Sequence, residues 1–125
     1  MAKVHFFYST MNAGKSTALL QSAHNYHETG NETILFIPRE DAEKNSGLIK
    51  SRIGLKAEAV VIDSKIKIFE YVKNETEKKQ IDAILIDEAQ FLKKHQVLEM
   101  CKVCDELDIP VMCYGIRTDF RGELF

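Results

Sequence analysis

The residues with the clearest chemical potential lie near the amino end, where positions 9–16 are Ser-Thr-Met-Asn-Ala-Gly-Lys-Ser. This spacing matches the phosphate-binding pattern Gly-x-x-x-x-Gly-Lys-Ser/Thr, except that Ser9 stands where the first glycine is expected. In that pattern Gly14 lets the backbone approach the ligand, Lys15 reaches the β- and γ-phosphates, and the Ser16 hydroxyl ligates Mg²⁺. The segment therefore predicts a loop that binds the phosphates of a nucleoside triphosphate with magnesium.

A second group of useful residues closes an apolar run, Ala-Ile-Leu-Ile-Asp-Glu at 83–88. Proteins with such phosphate loops hold magnesium and position a base where a strand ends in carboxylates. Asp87 would bind Mg²⁺ directly or through water, and Glu88 could accept a proton from a hydroxyl or a water that attacks the γ-phosphate. Alone, the two motifs are also consistent with an incidental helix start and plain turn chemistry; together they favour a phosphoryl-transfer site.

Apolar periodicity predicts the elements that must carry these residues. The predicted strands cover 3–9, 33–37, 57–62, 81–86 and 110–116, and the predicted helices cover 14–29, a segment capped by Asp63 or Ser64, and 92–107. Gly30 is placed to close the first helix, and Ile66, Phe69 and Val72 form the buried face of the second. Residues 38–57 have no clean period and predict a loop with at most one short helical turn.

The nearly continuous apolar run at 81–86 predicts a strand that is covered on both faces, at the centre of a parallel sheet. Strands and helices alternate along most of the chain. Because crossovers between parallel strands are right-handed, this order predicts a doubly wound α/β sheet.

The composition fits one domain over residues 1–125. The chain is 45% hydrophobic and 29% charged, with 17 basic against 19 acidic residues. A chain of this length buries roughly two thirds of its unfolded surface, enough for one core. The net charge of −2 disfavours a nucleic-acid partner, and the apolar runs are shorter than the roughly 20 residues of a membrane span. Three cysteines without a secretory signal predict reduced thiols in a cytoplasmic protein that binds small ligands.

Three segments resemble the cellular and bacterial type of thymidine kinase: Tyr8-Ser-Thr-Met-Asn-Ala-Gly-Lys-Ser-Thr17, Asp87-Glu-Ala-Gln-Phe91 and Tyr114-Gly-Ile-Arg-Thr-Asp-Phe-Arg-Gly-Glu-Leu-Phe125. The resemblance runs along the whole chain in order. It implies an α/β fold with a parallel sheet in three layers, like P-loop NTPases of the RecA-like type. It also implies transfer of the γ-phosphate of ATP, with Mg²⁺, to the 5′-hydroxyl of thymidine, a reaction of nucleotide salvage for DNA synthesis.

The resemblance also implies roles for residues of this chain. Glu88 would be the catalytic acceptor of the 5′-hydroxyl proton, Ser16 and Asp87 would serve magnesium, and Gln90 would orient the catalytic carboxylate, a magnesium water or the nucleotide. The implied ATP-binding residues are Ser9, Thr10, Met11, Asn12, Ala13, Gly14, Lys15, Ser16, Asp87, Glu88, Ala89 and Gln90.

An apolar thymidine pocket is implied at five positions, which are Met11, Phe91, Ile116, Phe120 and Phe125. Phe120 is expected to stack on the base, because a flat ring recognises a pyrimidine face without a charge. Without the resemblance, Phe120 and Phe125 would be equally consistent with packing at the edge of the core.

Arg52 lies in the long predicted loop. It could neutralise the transferring phosphate, as arginines do in phosphoryl transfer, or be a solvated loop residue. Related kinases often carry Asp-x-Arg near this point, where this chain has Asp41-Ala-Glu43, so the ordering of the loop stays open.

Cys101 and Cys104 have the Cys-x-x-Cys spacing of zinc and redox sites. They share the apolar face of a predicted helix with Val97 and Leu107, and no second pair completes four ligands. We therefore predict that they pack in the core. The resemblance implies that zinc is bound by a later segment, which these 125 residues do not contain.

Beyond the position of Phe125, the resemblance implies that relatives continue into that zinc-bearing region and a lasso-like loop that closes over the nucleoside. A chain that stops at Phe125 is expected to be the nucleotide-binding core. Because lid closure excludes water and completes the acceptor site, this core would bind ATP and phosphorylate thymidine weakly or not at all. Full-length relatives are expected to be homotetramers.

Two other functions stay open at this point. Residues 87–90, Asp-Glu-Ala-Gln, also resemble the Asp-Glu-x-Gln element of helicase ATPases, in which the glutamate activates water. That function needs a second core domain and further arginine motifs, and it leaves residues 120–125 without a role. A non-catalytic remnant would bind ATP and transfer no phosphate.

Overall fold

A computed structural model of the chain describes residues 2–9, 15–38, 48–50, 56–63 and 65–116. The elements in chain order are β1 (Val4–Ser9), α1 (Lys15–Glu28), β2 (Thr33–Pro38), β3 (Leu48–Lys50), β4 (Lys56–Glu58), β5 (Val60–Ile62), α2 (Ile68–Lys78), β6 (Ala83–Ile86), a 3₁₀ turn (Ala89–Phe91), α3 (Lys94–Lys102), a π-helical turn (Val103–Leu107) and β7 (Val111–Ile116). Within this described part of the chain, helices lack the length and apolar character that a membrane crossing requires.

Five strands form one sheet in the order β1-β7-β6-β2-β5, and every neighbouring pair in it is parallel. Ser9 pairs with Ile116 at the ends of β1 and β7, and Ile86 pairs with Cys113 one strand further in. Because all five strands run the same way, their carboxyl ends meet at a single edge. This is the edge at which open α/β sheets bind their ligands.

The sheet is covered on both faces, because alternate residues of its strands enter two separate apolar clusters. Ile84 and Ile86 of β6 pack with α2 and α3, whereas Ala83 and Leu85 pack with α1. All four β6 residues are fully buried. The predicted fold class, an α/β domain with a parallel sheet in three layers, is confirmed, as is the central position of the strand over 81–86.

The start of the chain follows its sequence pattern closely. Helix α1 buries Leu19, Leu20 and Ala23 against the sheet. It ends at Glu28, and Gly30 takes the left-handed conformation with φ 81° and donates its N–H to the carbonyl of His27 at 3.0 Å. The predicted glycine closure of this helix is confirmed.

The prediction of a loop over 38–57 is wrong for part of its length. Strands β3 and β4 form an antiparallel pair, with Ile49 opposite Ala57. Ile49 is 1% exposed and joins the α1 cluster, and Ala57 packs against the same cluster, so these two side chains attach the pair to the domain. The predicted strand over 57–62 is correspondingly two elements, because Ala57 belongs to β4 and only Val60–Ile62 belongs to the main sheet.

The second predicted helix begins later than expected. The residue that precedes α2 is Lys67, and of the two predicted caps Ser64 lies outside the described residues. Asp63 Oδ1 accepts the N–H groups of Lys65 and Ile66, each at 2.9 Å, and so forms a turn before α2. The fully buried residues of α2 are Ile68 and Val72, so the predicted buried face is correct at Val72 only. Ile66 and Phe69 pack against the same cluster while partly exposed.

The third predicted helix, over 92–107, consists of α3 followed by the π-helical turn. Cys104 is 3% exposed in the apolar cluster, as predicted, whereas Cys101 is half-buried. Burial raises the pKa of the Cys104 thiol. Residues with Cys, His, Asp or Glu side chains form no cluster of three fit to hold a metal in the part of the chain described.

Candidate functional site

The acidic pair lies just past the end of β6, at the carboxyl edge of the sheet. The N–H of Asp87 donates to the carbonyl of Phe36 at 3.0 Å, which extends the pairing of β6 with β2 by one step. The chain then turns sharply, because Glu88 has the left-handed conformation with φ 52° and ψ 45°. A glutamate in this conformation is unusual and costs free energy that neighbouring contacts must offset.

Three contacts hold this bend. Asp87 Oδ1 accepts the N–H of Glu88 at 2.9 Å. The carbonyl of Glu88 accepts the N–H of Phe91 at 3.1 Å and so starts the 3₁₀ turn. The amide nitrogen of Gln90 reaches back and donates to Glu88 Oε1 at 2.6 Å. The bend therefore fixes both the backbone and the carboxylate of Glu88.

Both carboxylates are removed from bulk water. Asp87 is 2% exposed and Glu88 is 9% exposed. Burial of a carboxylate is expensive unless hydrogen bonds compensate it, and the contacts from Glu88 N–H and the Gln90 amide supply two such bonds. A buried, oriented carboxylate at a ligand-binding edge is suited to accept a proton from a hydroxyl group.

The predicted phosphate loop begins and ends in described elements. Ser9 is the last residue of β1, and α1 begins at Lys15, with Ser16 in its first turn. The first N–H groups of a helix have no partner within the helix and favour an anion such as phosphate. The predicted residues between them, Thr10, Met11, Asn12, Ala13 and Gly14, lie outside the described residues.

Helix α1 is tied to β7 by contacts that the sequence pattern did not reveal. The hydroxyls of Ser22 and Tyr114 are 3.1 Å apart, and the Tyr114 ring stacks on Phe7 with centroids 5.0 Å apart. These contacts join α1 to β7 and β7 to β1. The middle of α1 is thereby attached to the strand that ends beside Ser9.

The predicted thymidine pocket is described at two positions. Phe91 ends the 3₁₀ turn and is 45% exposed, which is high for a large apolar side chain beside a buried carboxylate. Ile116 is the last residue of β7, beside Ser9. Met11, Phe120 and Phe125 lie outside the described residues, as does Arg52.

Magnesium is the metal that the phosphate-binding motif implies. Asp87 fits it chemically, because Mg²⁺ prefers hard oxygen ligands and keeps most of its water, so one protein carboxylate with the substrate phosphates is a sufficient donor set. Ser16, the second residue predicted to bind magnesium, is described by its backbone position in the first turn of α1. Asp87 Oδ1 also accepts the N–H of Glu88. If Asp87 binds the cation, the cation is therefore connected through this carboxylate to the backbone of Glu88.

Two residues near the site were missed by sequence reasoning, Tyr114 and Gly115, although both lie in a segment that carried the resemblance. Gly115 stands opposite the 3₁₀ turn, so close that an added Cβ would lie 2.8 Å from Gln90 Oε1. A glycine within a predicted strand is the signal that marks such close approaches. For Tyr114 the strand alternation indicates burial but cannot name its partner on α1.

A comparison with protein families gives one match over nearly the whole chain. The family model described as thymidine kinase matches residues 2–125.

Individual proteins named thymidine kinase match over all 125 residues. The chain is 51% identical to that of Zymomonas mobilis and covers 65% of its length. It is 50% identical to those of Rhodopirellula baltica and Escherichia coli K12, and covers 59% and 61% of their lengths, respectively. The chain thus spans less than two thirds of the length of these relatives.

Proposed function

Because this chain belongs to the thymidine kinase family, we propose that the protein carrying it transfers the γ-phosphate of ATP to the 5′-hydroxyl of thymidine. This reaction returns a pyrimidine deoxynucleoside to the nucleotide pool. The observation that carries the proposal is the buried Glu88 carboxylate, held by Gln90 just past β6, at the sheet edge where β1 also ends.

In the proposed reaction, Glu88 accepts the proton of the 5′-hydroxyl as its oxygen attacks the γ-phosphorus. A new oxygen–phosphorus bond forms, the bond between the γ-phosphorus and the β,γ-bridging oxygen breaks, and ADP leaves with that electron pair. Proton transfer to a positioned carboxylate accelerates such a step by about 10²- to 10⁴-fold. The hydrogen bond from Gln90 at 2.6 Å supports this role because it fixes the direction in which the carboxylate faces.

We assign the phosphates of ATP to the loop over 9–16 and to the residues after β6. The backbone N–H groups at the start of α1 and the ammonium of Lys15 would hold the phosphate oxygens. Ser16 and Asp87 would hold Mg²⁺, which neutralises charge on the phosphates. Ala89 and Gln90 would line the nucleotide side, and Arg52 would approach the transferring phosphate.

The thymidine side is assigned to the apolar residues Met11, Phe91, Ile116, Phe120 and Phe125, with Phe120 stacked on the base. Among these, Phe91 is supported by its exposure, since 45% of it faces solvent beside the proposed base. An exposed aromatic ring next to a catalytic group is available for a ligand to cover.

The remaining features of the proposal rest on the family resemblance. We assign to the whole protein a homotetrameric state, a cytoplasmic location, and a zinc site outside residues 1–125. The three cysteines of the chain are free thiols, which supports a reducing compartment. Light scattering after size-exclusion chromatography, with zinc analysis of the same fractions, tests the oligomeric state and the metal together.

The reaction is tested with the whole protein, Mg-ATP and labelled thymidine, by following ADP and thymidine monophosphate together. A kinase produces the two in equal amounts and releases no ADP above background when thymidine is left out. ADP release that does not depend on thymidine would identify a hydrolase of the helicase type. ATP binding without any turnover would identify a non-catalytic remnant, and either result contradicts the proposal.

The phosphate loop is tested separately through Lys15→Ala. A hydrogen bond from a charged group contributes about 1.5–3 kcal/mol, so the substitution should weaken ATP binding by roughly 10- to 150-fold. Lys94→Ala is the matched control, because Lys94 is an exposed lysine in the first turn of another helix, α3, and has no assigned role. Equal affinity of the two variants would remove the loop assignment.

A further inference from the structure

Gly115 lies in β7 directly beside the turn that carries Gln90. A Cβ at this position would lie 2.8 Å from Gln90 Oε1, 3.3 Å from the backbone nitrogen of Gln90 and 3.5 Å from that of Ala89. The first distance is shorter than carbon–oxygen contacts allow. With a side chain at residue 115, the amide end of Gln90 would therefore have to leave its position against β7.

The requirement at Gly115 concerns space and not backbone conformation. Among the glycines of the described residues, Gly30 has positive φ, at 81°, and Gly115 does not. At Gly30 an added Cβ would meet nothing within 4 Å. The two glycines thus separate the two reasons for a glycine, since one is needed for its conformation and the other for its missing side chain.

The closest atom to the missing side chain belongs to the group that orients Glu88. Gln90 Oε1 faces Gly115, while Nε2 of the same amide donates to Glu88 Oε1 at 2.6 Å. A side chain at 115 would push on the amide end of Gln90, the far end of a flexible side chain. Because that end can rotate away, the displacement costs little folding free energy and is borne by the bond to Glu88.

We propose that Gly115 is a positioning residue for phosphoryl transfer: its missing side chain seats the Gln90 amide, which in turn orients the Glu88 carboxylate. The kinetic part rests on the proposed function, because it takes Glu88 as the base. The geometric part stands on the two contacts of Gln90. Strand β7 thereby acts on the proposed base through the Gln90 side chain, at the residue just before Ile116.

The kinetic test uses Gly115→Ala, Gln90→Ala and the double variant in the whole protein. Misplacement of a reacting group by about 1 Å costs up to about 100-fold in rate, so Gly115→Ala is expected to lower kcat by about tenfold while KM for ATP changes less than about twofold. Gln90→Ala removes Oε1, the atom that a side chain at 115 would meet. The double variant is therefore expected to have a kcat within about twofold of that of Gln90→Ala.

Two matched control variants are expected to leave kcat unchanged. Gly30→Ala places a side chain where φ is 81° and is expected to lower Tm more than Gly115→Ala does, with unchanged kcat. Gln80→Ala removes a similar amide, which donates to Asp82 Oδ1 at 2.8 Å at the other end of β6, and is expected to leave kcat unchanged. An equal loss of kcat in Gly30→Ala would assign the effect to general destabilisation.

A readout that does not depend on turnover is the carbon resonance of the Glu88 carboxyl group in labelled protein. It is expected to shift in Gly115→Ala and in Gln90→Ala, and to be the same in Gln90→Ala and the double variant. A resonance unmoved by Gly115→Ala, or a Gly115→Ala effect of equal size in both backgrounds, overturns the proposal. If Gly115→Ala fails to fold, the double variant must fold, since otherwise the contact with Gln90 is not the cause.

The kinetic measurement and the Glu88 resonance together distinguish failure of the proposed function from failure of the positioning role of Gly115. If the wild-type protein forms no thymidine monophosphate, the proposed function fails, and the Glu88 resonance still decides whether Gly115 orients the carboxylate through Gln90. If transfer occurs and the resonance is unmoved, the positioning role fails and the proposed function stands.

Discussion

At each end of β6 a glutamine amide donates a hydrogen bond to an acidic side chain, but the two pairs have different roles. Before the strand, the amide of Gln80 donates to Asp82 Oδ1 at 2.8 Å; after it, the amide of Gln90 donates to Glu88 Oε1 at 2.6 Å. In both cases a glutamine two residues away binds an acidic side chain. The difference between the two ends lies in their backbone and in their access to water.

At the amino end the carboxylate braces the sheet. Asp82 Oδ2 accepts the N–H of Glu32 at 2.9 Å, and the N–H of Asp82 donates to the carbonyl of Glu32 at 2.8 Å, so the pair links the starts of β2 and β6. Asp82 is only half-buried. Its contacts join two strands across the entry to the sheet, and water can still reach them.

At the carboxyl end the carboxylate is buried and its backbone is strained. Glu88 and Asp108 are the non-glycine residues with positive φ in the described part of the chain. Asp108 follows the π-helical turn, where aspartate tolerates this conformation, and its Oδ1 accepts the N–H of Ala2 at 2.8 Å. Glu88 has no such local reason, so its strain points to function at that end of β6.

The largest expected effect separates the two carboxylates directly. Glu88→Gln removes the proton acceptor while keeping the size of the side chain, and should lower kcat for thymidine phosphorylation by about 10²- to 10⁴-fold. Asp82→Asn makes the same chemical change at the other end and should leave kcat within about twofold, because a bracing oxygen remains. Initial rates of thymidine monophosphate formation measure both.

The outcome of that pair decides whether the two ends differ in function. Equal rates for Glu88→Gln and the wild type would remove Glu88 as the base, whatever its burial and strain. Equal losses in Glu88→Gln and Asp82→Asn would show that the site depends on overall stability of the sheet and not on one oriented carboxylate.

The next prediction concerns the exclusion of water around Cys113 in β7. Cys113 pairs with Ile86 and is 1% exposed. Burial, with a smaller contribution from the neighbouring thiols Cys104 and Cys101, raises the pKa of Cys113 from 9.0 to about 12. The folded protein thus binds this proton more tightly than the unfolded chain does.

The sign of the pH dependence follows from that difference. The stabilisation is fully present below pH 9 and is lost as the pH rises from about 9 towards 12, at up to about 1.4 kcal/mol per pH unit. Urea unfolding at pH 8, 9 and 10 should show this decline, and Cys113→Ala should show a shallower one. If the free energy of unfolding falls equally with pH in the wild type and in Cys113→Ala, water reaches Cys113 and its burial does not hold the proton.

Much of the fold follows from local pattern. The apolar run over 81–86 indicates a strand covered on both faces, and the structure buries all four residues of β6. Gly30 indicates a helix end, and it takes the conformation that such an end needs. These features depend on residues within one turn or one strand, so the sequence alone suffices to predict them.

The misplaced elements depend on partners far away in the chain. Helix α2 begins at Ile68 and not at Asp63, and its Phe69 N–H is satisfied by the side chain of Glu99, 30 residues later, at 3.1 Å. The strand pair of β3 and β4 exists through burial of Ile49 against α1. No local pattern contains either contact.

The site divides in the same way. The acidic pair and its place after β6 were predictable, because a strand that ends in carboxylates is a local pattern. The left-handed conformation of Glu88 and the close approach of Gln90 to Gly115 of another strand were not, because no local pattern indicates either. Local sequence thus predicts which residues carry chemistry, whereas contacts between distant parts of the chain determine the orientation of their side chains.

The smallest expected effect tests the amino end by itself. Asp82→Ala removes both accepting oxygens and leaves the N–H of Glu32 and the amide of Gln80 to water. Since these groups are partly exposed, the loss should be about 1 kcal/mol in the free energy of unfolding, with kcat unchanged. Asp82→Asn, which keeps one accepting oxygen, should lose less than half as much in the same urea titration.

A fall in kcat for Asp82→Ala, measured well below its unfolding midpoint, would contradict the division of roles between the two ends. It would mean that strain at Glu88 is offset by the pairing of β2 with β6 along its whole length. The 3.0 Å bond from the N–H of Asp87 to the carbonyl of Phe36 is the contact through which such coupling would act, because it continues that pairing to the bend. If kcat instead stays constant while stability falls, the bend is supported locally, by Gln90 and β7.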